Sequence, residues 1–233
     1  TDMTLVSGAT INVDAGEITH MLADESLGRL TIVDQVITVN GATTVDNANL
    51  LGATTTGKLT ATIATTETVT ELATLSADGG TNDLTIVIRA ADATVSTAAQ
   101  LNTINAATAV AVDASNVTQI TGLASDFITL YTAGNAGTIT NLDAAETIIL
   151  SDTSNTSAST IHSLKNLLDS TADNASVTVS AINANSVTSL TGSAMDLLAV
   201  FAAKASGHIS NLASNVAVTI DESGTGDGSV SVA

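Results

Sequence analysis

The chain has 233 residues, with 5 Lys+Arg against 23 Asp+Glu, no Cys, no Pro, no Trp, one Tyr and two Phe. A net charge of −18 repels phosphate backbones and gives anionic lipid no basic segment to hold, so neither nucleic acid nor membrane insertion is expected. With 40 Thr, 38 Ala and a hydrophobic fraction of 44% drawn from Ala, Val, Leu and Ile, the core is expected to be thin and regular rather than aromatic.

The first predicted elements are strand-like segments, Thr4–Ser7 and Thr10–Val13, followed by a helix over 15–27. Strands follow at Leu30–Val33 and Val36–Val39, where apolar residues alternate with Thr, then a helix over 44–53. Leu59–Ile63 reads as a strand, 66–77 as a helix, Leu84–Ile88 as a strand and 95–106 as a helix. Helices are predicted again over 122–133, 157–170 and 192–205, with strands at Val177–Val179 and Val216–Ile220 and a last strand at Ser229–Val232. In the sixth helix Ile161, Leu164, Leu167 and Leu168 form one stripe, and Ser157 or Ser159 can cap its first turn. In the seventh the stripe is Leu197, Leu198 and Phe201, with Ser193 as N-cap and Gly207 as the stop. The longest strictly apolar run, Leu197 to Ala203, is too short to cross a bilayer. The first twenty residues lack a signal-peptide pattern, so any export signal is expected to lie outside the chain or to have been removed.

Internal repetition organises these elements. Residues 117–152 align without a gap onto 187–222, an offset of 70, with eleven identities. Val117-Thr-Gln-Ile-Thr-Gly122 returns as Val187-Thr-Ser-Leu-Thr-Gly192, Tyr131 falls on Phe201, and Gly137-Thr-Ile-Thr-Asn-Leu142 returns as Gly207-His-Ile-Ser-Asn-Leu212. Leu101 to Val112 corresponds likewise to Leu164 to Val179, and weaker copies run back towards residue 1. Short strands separated by helices favour parallel pairing, because antiparallel hairpins would show tight Asn-Gly or Asp-Gly turns, and Asn40-Gly41 is the one such signal beside a convincing strand pair. The expected fold is an α/β repeat solenoid over 1–233: short parallel strands stacked into long sheets, with short helices along another side.

Along Leu101–Ser115 and on through Asn116-Val-Thr-Gln-Ile-Thr-Gly122, the chain resembles the Thr/Ala-rich tandem repeats of very large surface or virion proteins of marine bacteria, cyanobacteria and cyanophages. The resemblance is clear over 95–222. It implies an extracellular structural role and carries no catalytic residues.

Motifs for chemistry are weak. Gly52 to Lys58 has the spacing of a phosphate loop, but Leu59 replaces the required Ser or Thr, and helix and strand stand in the wrong order. Glu17, His20 and Asp24 could share one helical face, against the plainer reading of a solvated polar face. No cofactor is required. Calcium is the better candidate ligand, at Asp221, Glu222 and Asp227 in one acidic Gly-rich turn and at Asp78 and Asp83 in another, against flexible polar loops. Uncapped strands at both ends, through Thr4, Leu5, Val6, Ile11 and Val13 and through Val230 and Val232, suggest head-to-tail homopolymerisation. The alternatives are pairing with neighbouring repeats of a longer array, and a calcium-binding adhesin or spacer segment.

Overall fold

A computed structural model describes residues 3–76, 81–142, 146–171 and 181–221. In chain order the elements are β1 (Met3–Thr4), β2 (Thr10–Asp14), α1 (Ile18–Ser26), β3 (Leu30–Thr31), β4 (Val36–Thr43), α2 (Val45–Thr54), β5 (Leu59–Ile63), α3 (Val69–Leu72) and β6 (Asp83–Thr85). They continue with β7 (Ser96–Thr97), α4 (Ala98–Ala106), β8 (Val112–Asp113), β9 (Gln119–Gly122), α5 (Ala124–Asn135), β10 (Ile139–Thr140) and β11 (Thr147–Leu150). The last are β12 (Thr156–Ser157), α6 (Ala158–Thr171), β13 (Ile182–Asn183), β14 (Ser189–Gly192), α7 (Ala194–Ala205), β15 (Ile209–Ser210) and β16 (Ala217–Ile220). The fold is α/β. Every strand pair among the described residues is parallel, in sheets ordered β1-β3, β2-β4-β5-β6, β10-β8, β15-β13-β11-β9-β7 and β12-β14-β16, none of which closes into a barrel.

Where the sequence suggests long sheets, the described strands thus form several small ones. Many strands are only two residues long, so the ladders they form are short. The contacts divide the chain into two compact units. One takes in the described residues of Thr1–Asp92, Gln100–Asn116 and Gly137–Asn141, the other those of Ala93–Ala99, Val117–Ala136 and Leu142–Ala233.

The repeat is structural as well as sequential. The pairs β8–β10 and β9–β11 recur 70 residues later as β13–β15 and β14–β16, in the same register. Single hydrogen bonds recur with them: Val112 N–H to the Thr138 carbonyl becomes Ile182 N–H to that of His208, both 2.9 Å. The pairs β1–β3 and β2–β4 are a third, N-terminal copy, in which the Met3 N–H donates to the Arg29 carbonyl at 2.8 Å. In each copy the helix that leads to the next strand ends on a glycine at positive φ, Gly28 (68°), Gly137 (74°) or Gly207 (85°), the left-handed conformation a helix C-terminus needs.

Several helices combine an apolar stripe with a side-chain cap. Helix α5 buries Ala124, Phe127, Leu130 and Tyr131, and its two aromatic rings stack with centroids 6.4 Å apart. The Ser193 hydroxyl accepts from the Asp196 N–H (3.1 Å) and caps α7, and Ser157 accepts from the Thr160 N–H (3.2 Å) at the start of α6. Two expectations change. The helix expected over 66–77 is the single turn α3, closed by a capping box between Thr68 and Glu71. Leu198, placed in the core stripe of α7, is exposed: one residue on from buried Leu197, it lies about 100° further round the helix. Asn40-Gly41 makes no hairpin but falls inside β4, where the register with β5 shifts between Thr38 and Ala42.

Candidate functional site

The carboxylates explain much about what the described surface does with its acidity. Asp92 and Asp152 cap helices from a later turn of the chain: Asp92 accepts from the Val69 N–H of α3 (2.7 Å) and Asp152 from the Ala124 N–H of α5 (2.8 Å). Arg89 forks onto Asp92 at 2.9 and 3.2 Å. Asp113 accepts from the Ser115 N–H (2.9 Å) and the Asn141 amide (2.8 Å), and those bonds hold its pKa below the ordinary aspartate value. Asp196 is lowered first by its hydrogen bond with His162 (3.1 Å), then by Ser193. Glu71 is lowered by the bonds of its capping box, and Asp34 by its bond with Ser7. Tyr131 donates to Glu146 in the core at 2.9 Å.

The proposed calcium residues are not brought together by the described structure. Asp83 starts β6 and is ion-paired with Lys58, and Asp221 is exposed just after β16, its N–H donating to the Gly192 carbonyl at 2.9 Å. Asp78, Glu222 and Asp227 lie outside the described residues. Among those described, no three His, Asp or Glu side chains gather in an arrangement that could hold a metal. His20 bonds Glu17 at 2.9 Å, which raises its pKa, while Asp24 turns to Arg29 at 3.4 Å. The phosphate-loop spacing has a packing explanation. A Cβ on Gly57 would sit 2.2 Å from the Gln35 carbonyl oxygen, so only glycine allows this close approach, and strand β5 follows where that motif needs a helix.

Two of the sheet edges, at β16 and β1, carry exposed apolar side chains. Strand β16 ends the sheet β12-β14-β16, and no described strand covers its outer side. Its counterpart β11 buries Ile148 and Leu150 completely, whereas Val218 and Ile220 in the same positions are 45% and 49% exposed. At the other edge, β3 is the one described strand beside β1, and Met3 is 55% exposed where its counterparts Val112 and Ile182 are buried. Next to Met3 is an open groove of about 410 Å³ whose apolar lining is Met3, Leu5, Ile11, Val13, Met21 and Leu30.

No family model, curated protein or solved structure matches the chain.

Of the residues the sequence suggested for assembly, Thr4 lies in β1, paired with Thr31, and Leu5 lines the groove. Val6 is exposed beyond β1, while Ile11 and Val13 in β2 pair with Ile37 and Val39. Val230 and Val232 lie outside the described residues. Sequence reasoning missed Val218 and Ile220. The offset of 70 that sets them against Ile148 and Leu150 was the available signal. No helix among the described residues is long and apolar enough to cross a membrane.

Proposed function

We propose that the chain is an extracellular structural repeat protein that assembles with copies of itself, head to tail, through open strand edges. Within each unit the parallel strands and intervening helices are read as turns of an α/β solenoid, in which each turn covers the apolar face of the one before. The observation that carries this reading is the contrast between Ile148 and Leu150, buried in β11, and Val218 and Ile220, half exposed in the equivalent β16. A row of apolar side chains with free backbone groups beside it is a template for another strand. A cell-surface or virion location is supported by the resemblance to Thr/Ala-rich repeats of such proteins.

Sedimentation velocity across a range of micromolar concentrations tests the reading. The parent chain is expected to form species larger than one subunit, and Val218→Asp/Ile220→Asp to sediment as the monomer with unchanged circular dichroism. A parent that remains monomeric at every concentration would refute self-assembly.

A further inference from the structure

Counting the shorter copy formed by β5 and β6 between the N-terminal copy and the one that starts at β8, the chain contains three internal joints at which one copy of the repeat hands over to the next. In two of them the last strand of a copy pairs in parallel with the first strand of the following one, Ile37↔Leu59 and Thr38↔Thr60, and Ile148↔Ile182 and Ile149↔Asn183; between these two the isolated parallel bridge Val87↔Asp113, just beyond β6, takes that place. On one face of these joints Ile37, Leu59, Ile86, Val112, Ile148 and Ile182 are buried, while Val87 and Ile149, on the other, are part-exposed. Among the described residues each half of a fourth such joint is present without a partner strand. Strand β16 is the donor type, since it pairs with β14 as β11 pairs with β9, and β1 is the acceptor type, since it pairs with β3 as β8 pairs with β10.

We infer that β16 of one copy pairs in parallel with β1 of a second copy in the register of the internal joints, Val218 opposite Met3 and Thr219 opposite Thr4. This rests on the self-assembly proposed above and specifies its joint. The register places Ile220 opposite Leu5, as Leu150 would stand opposite Ala184. Leu5 is bulkier than Ala184, and the groove of about 410 Å³ beside it offers the room that both side chains need. The pairing covers the half-exposed Met3, Val218 and Ile220 together, and continues the repeat from copy to copy without a change of phase.

The parent chain has no cysteine, so engineered thiols report the register directly. Met3→Cys and Val218→Cys are prepared as separate single variants, mixed, and oxidised. Directly opposed residues in neighbouring strands lie about 4.8 Å apart, within disulfide reach, whereas a two-residue slip separates them by about 8 Å. The mixture is expected to give a disulfide-linked dimer on a non-reducing gel, several-fold more than either variant alone or than Leu5→Cys mixed with Val218→Cys. Sedimentation of the same unoxidised samples separates the two ideas. Association with equal cross-linking at positions 3 and 5 would overturn the register but leave self-assembly standing. Absence of both association and cross-linking would overturn both.

Discussion

Strands β11 and β16 occupy the same place in two copies of one repeat and both carry aliphatic residues at their second and fourth positions, Thr-Ile-Ile-Leu and Ala-Val-Thr-Ile, yet in one these are core and in the other surface. The difference lies in what covers them: β13 pairs with β11, and no described strand pairs with β16 on that side. Burial in this fold is therefore a property of the next turn rather than of the strand itself. The sharpest test places the same charge at both positions. Ile148→Asp buries a carboxylate at a fully enclosed site and is expected to cost at least about 4 kcal/mol, enough to unfold much of the chain. Val218→Asp is expected to shift the monomer's stability by no more than about 0.5 kcal/mol while abolishing association. Urea unfolding of the two variants beside the parent measures both, and similar large losses would mean that β16 is covered within the monomer.

A second contrast separates the copies inside the core. Tyr131 and Glu146 form a buried hydrogen bond in the first, and Phe201 and Val216 stand at the same positions in the second. A polar pair has been exchanged as a unit for an apolar one, as expected if neither polar member is tolerable without a partner. Tyr131→Phe alone removes a donor from the buried Glu146 and is expected to cost about 1–3 kcal/mol. Adding Glu146→Val, which copies the second repeat, is expected to recover most of that loss. The double-mutant cycle is read by thermal unfolding, and additive losses would show that the two side chains do not act together.

Caps divide the copies by a smaller amount. Helix α7 is capped by its own Ser193, whereas α5 has Leu123 at that position and takes the Asp152 carboxylate from beyond β11. Asp152→Ala and Ser193→Ala are each expected to cost about 1 kcal/mol. The former should also loosen the chain after β11, visible as faster amide exchange around Asp152, while the latter leaves its own loop unchanged. Equal exchange in both variants would remove the distinction.

The local parts of this fold are legible in the sequence because local physics sets them. The stripe Ile161, Leu164 and Leu168, the serine caps of α6 and α7 and the stop at Gly207 all depend on residues within a turn or two of one another. The parallel pairing follows from helices between strands, and the offset of 70 from plain alignment. What escapes is set by distant partners. Asp92 and Asp152 look like loop acids until the chain folds back and sets them against the N-termini of α3 and α5. The earlier repeats are hard to read because β5 and β6 each join two strand roles that stand apart in the later copies. The open edge at Val218 and Ile220 was overlooked for a related reason: alternation marks a strand with one apolar face but does not reveal whether a following turn covers it.

The smallest contrast is electrostatic. Asp113 and Asn183 hold the same turn in successive copies: each side-chain Oδ1 accepts from a backbone N–H two residues on, Ser115 at 2.9 Å or Asn185 at 3.2 Å, and from an asparagine at positive φ, Asn141 or Asn211. Only the first can titrate. Because its donors lower the Asp113 pKa in the folded chain, the unfolded chain binds the proton more readily. The stabilisation is complete above the ordinary aspartate value near 3.9 and is lost as pH falls from there through the lower folded value. Asp113→Asn keeps the acceptor oxygen and removes the titration, making the first copy like the second. Melting temperatures from pH 5 down to pH 2.5 are expected to fall less steeply for this variant than for the parent, the remaining slope belonging to Asp34, Glu71, Asp196 and other carboxylates. Identical slopes would show that the turn binds its donors equally well through a protonated acid, and that asparagine in the second copy confers no acid tolerance.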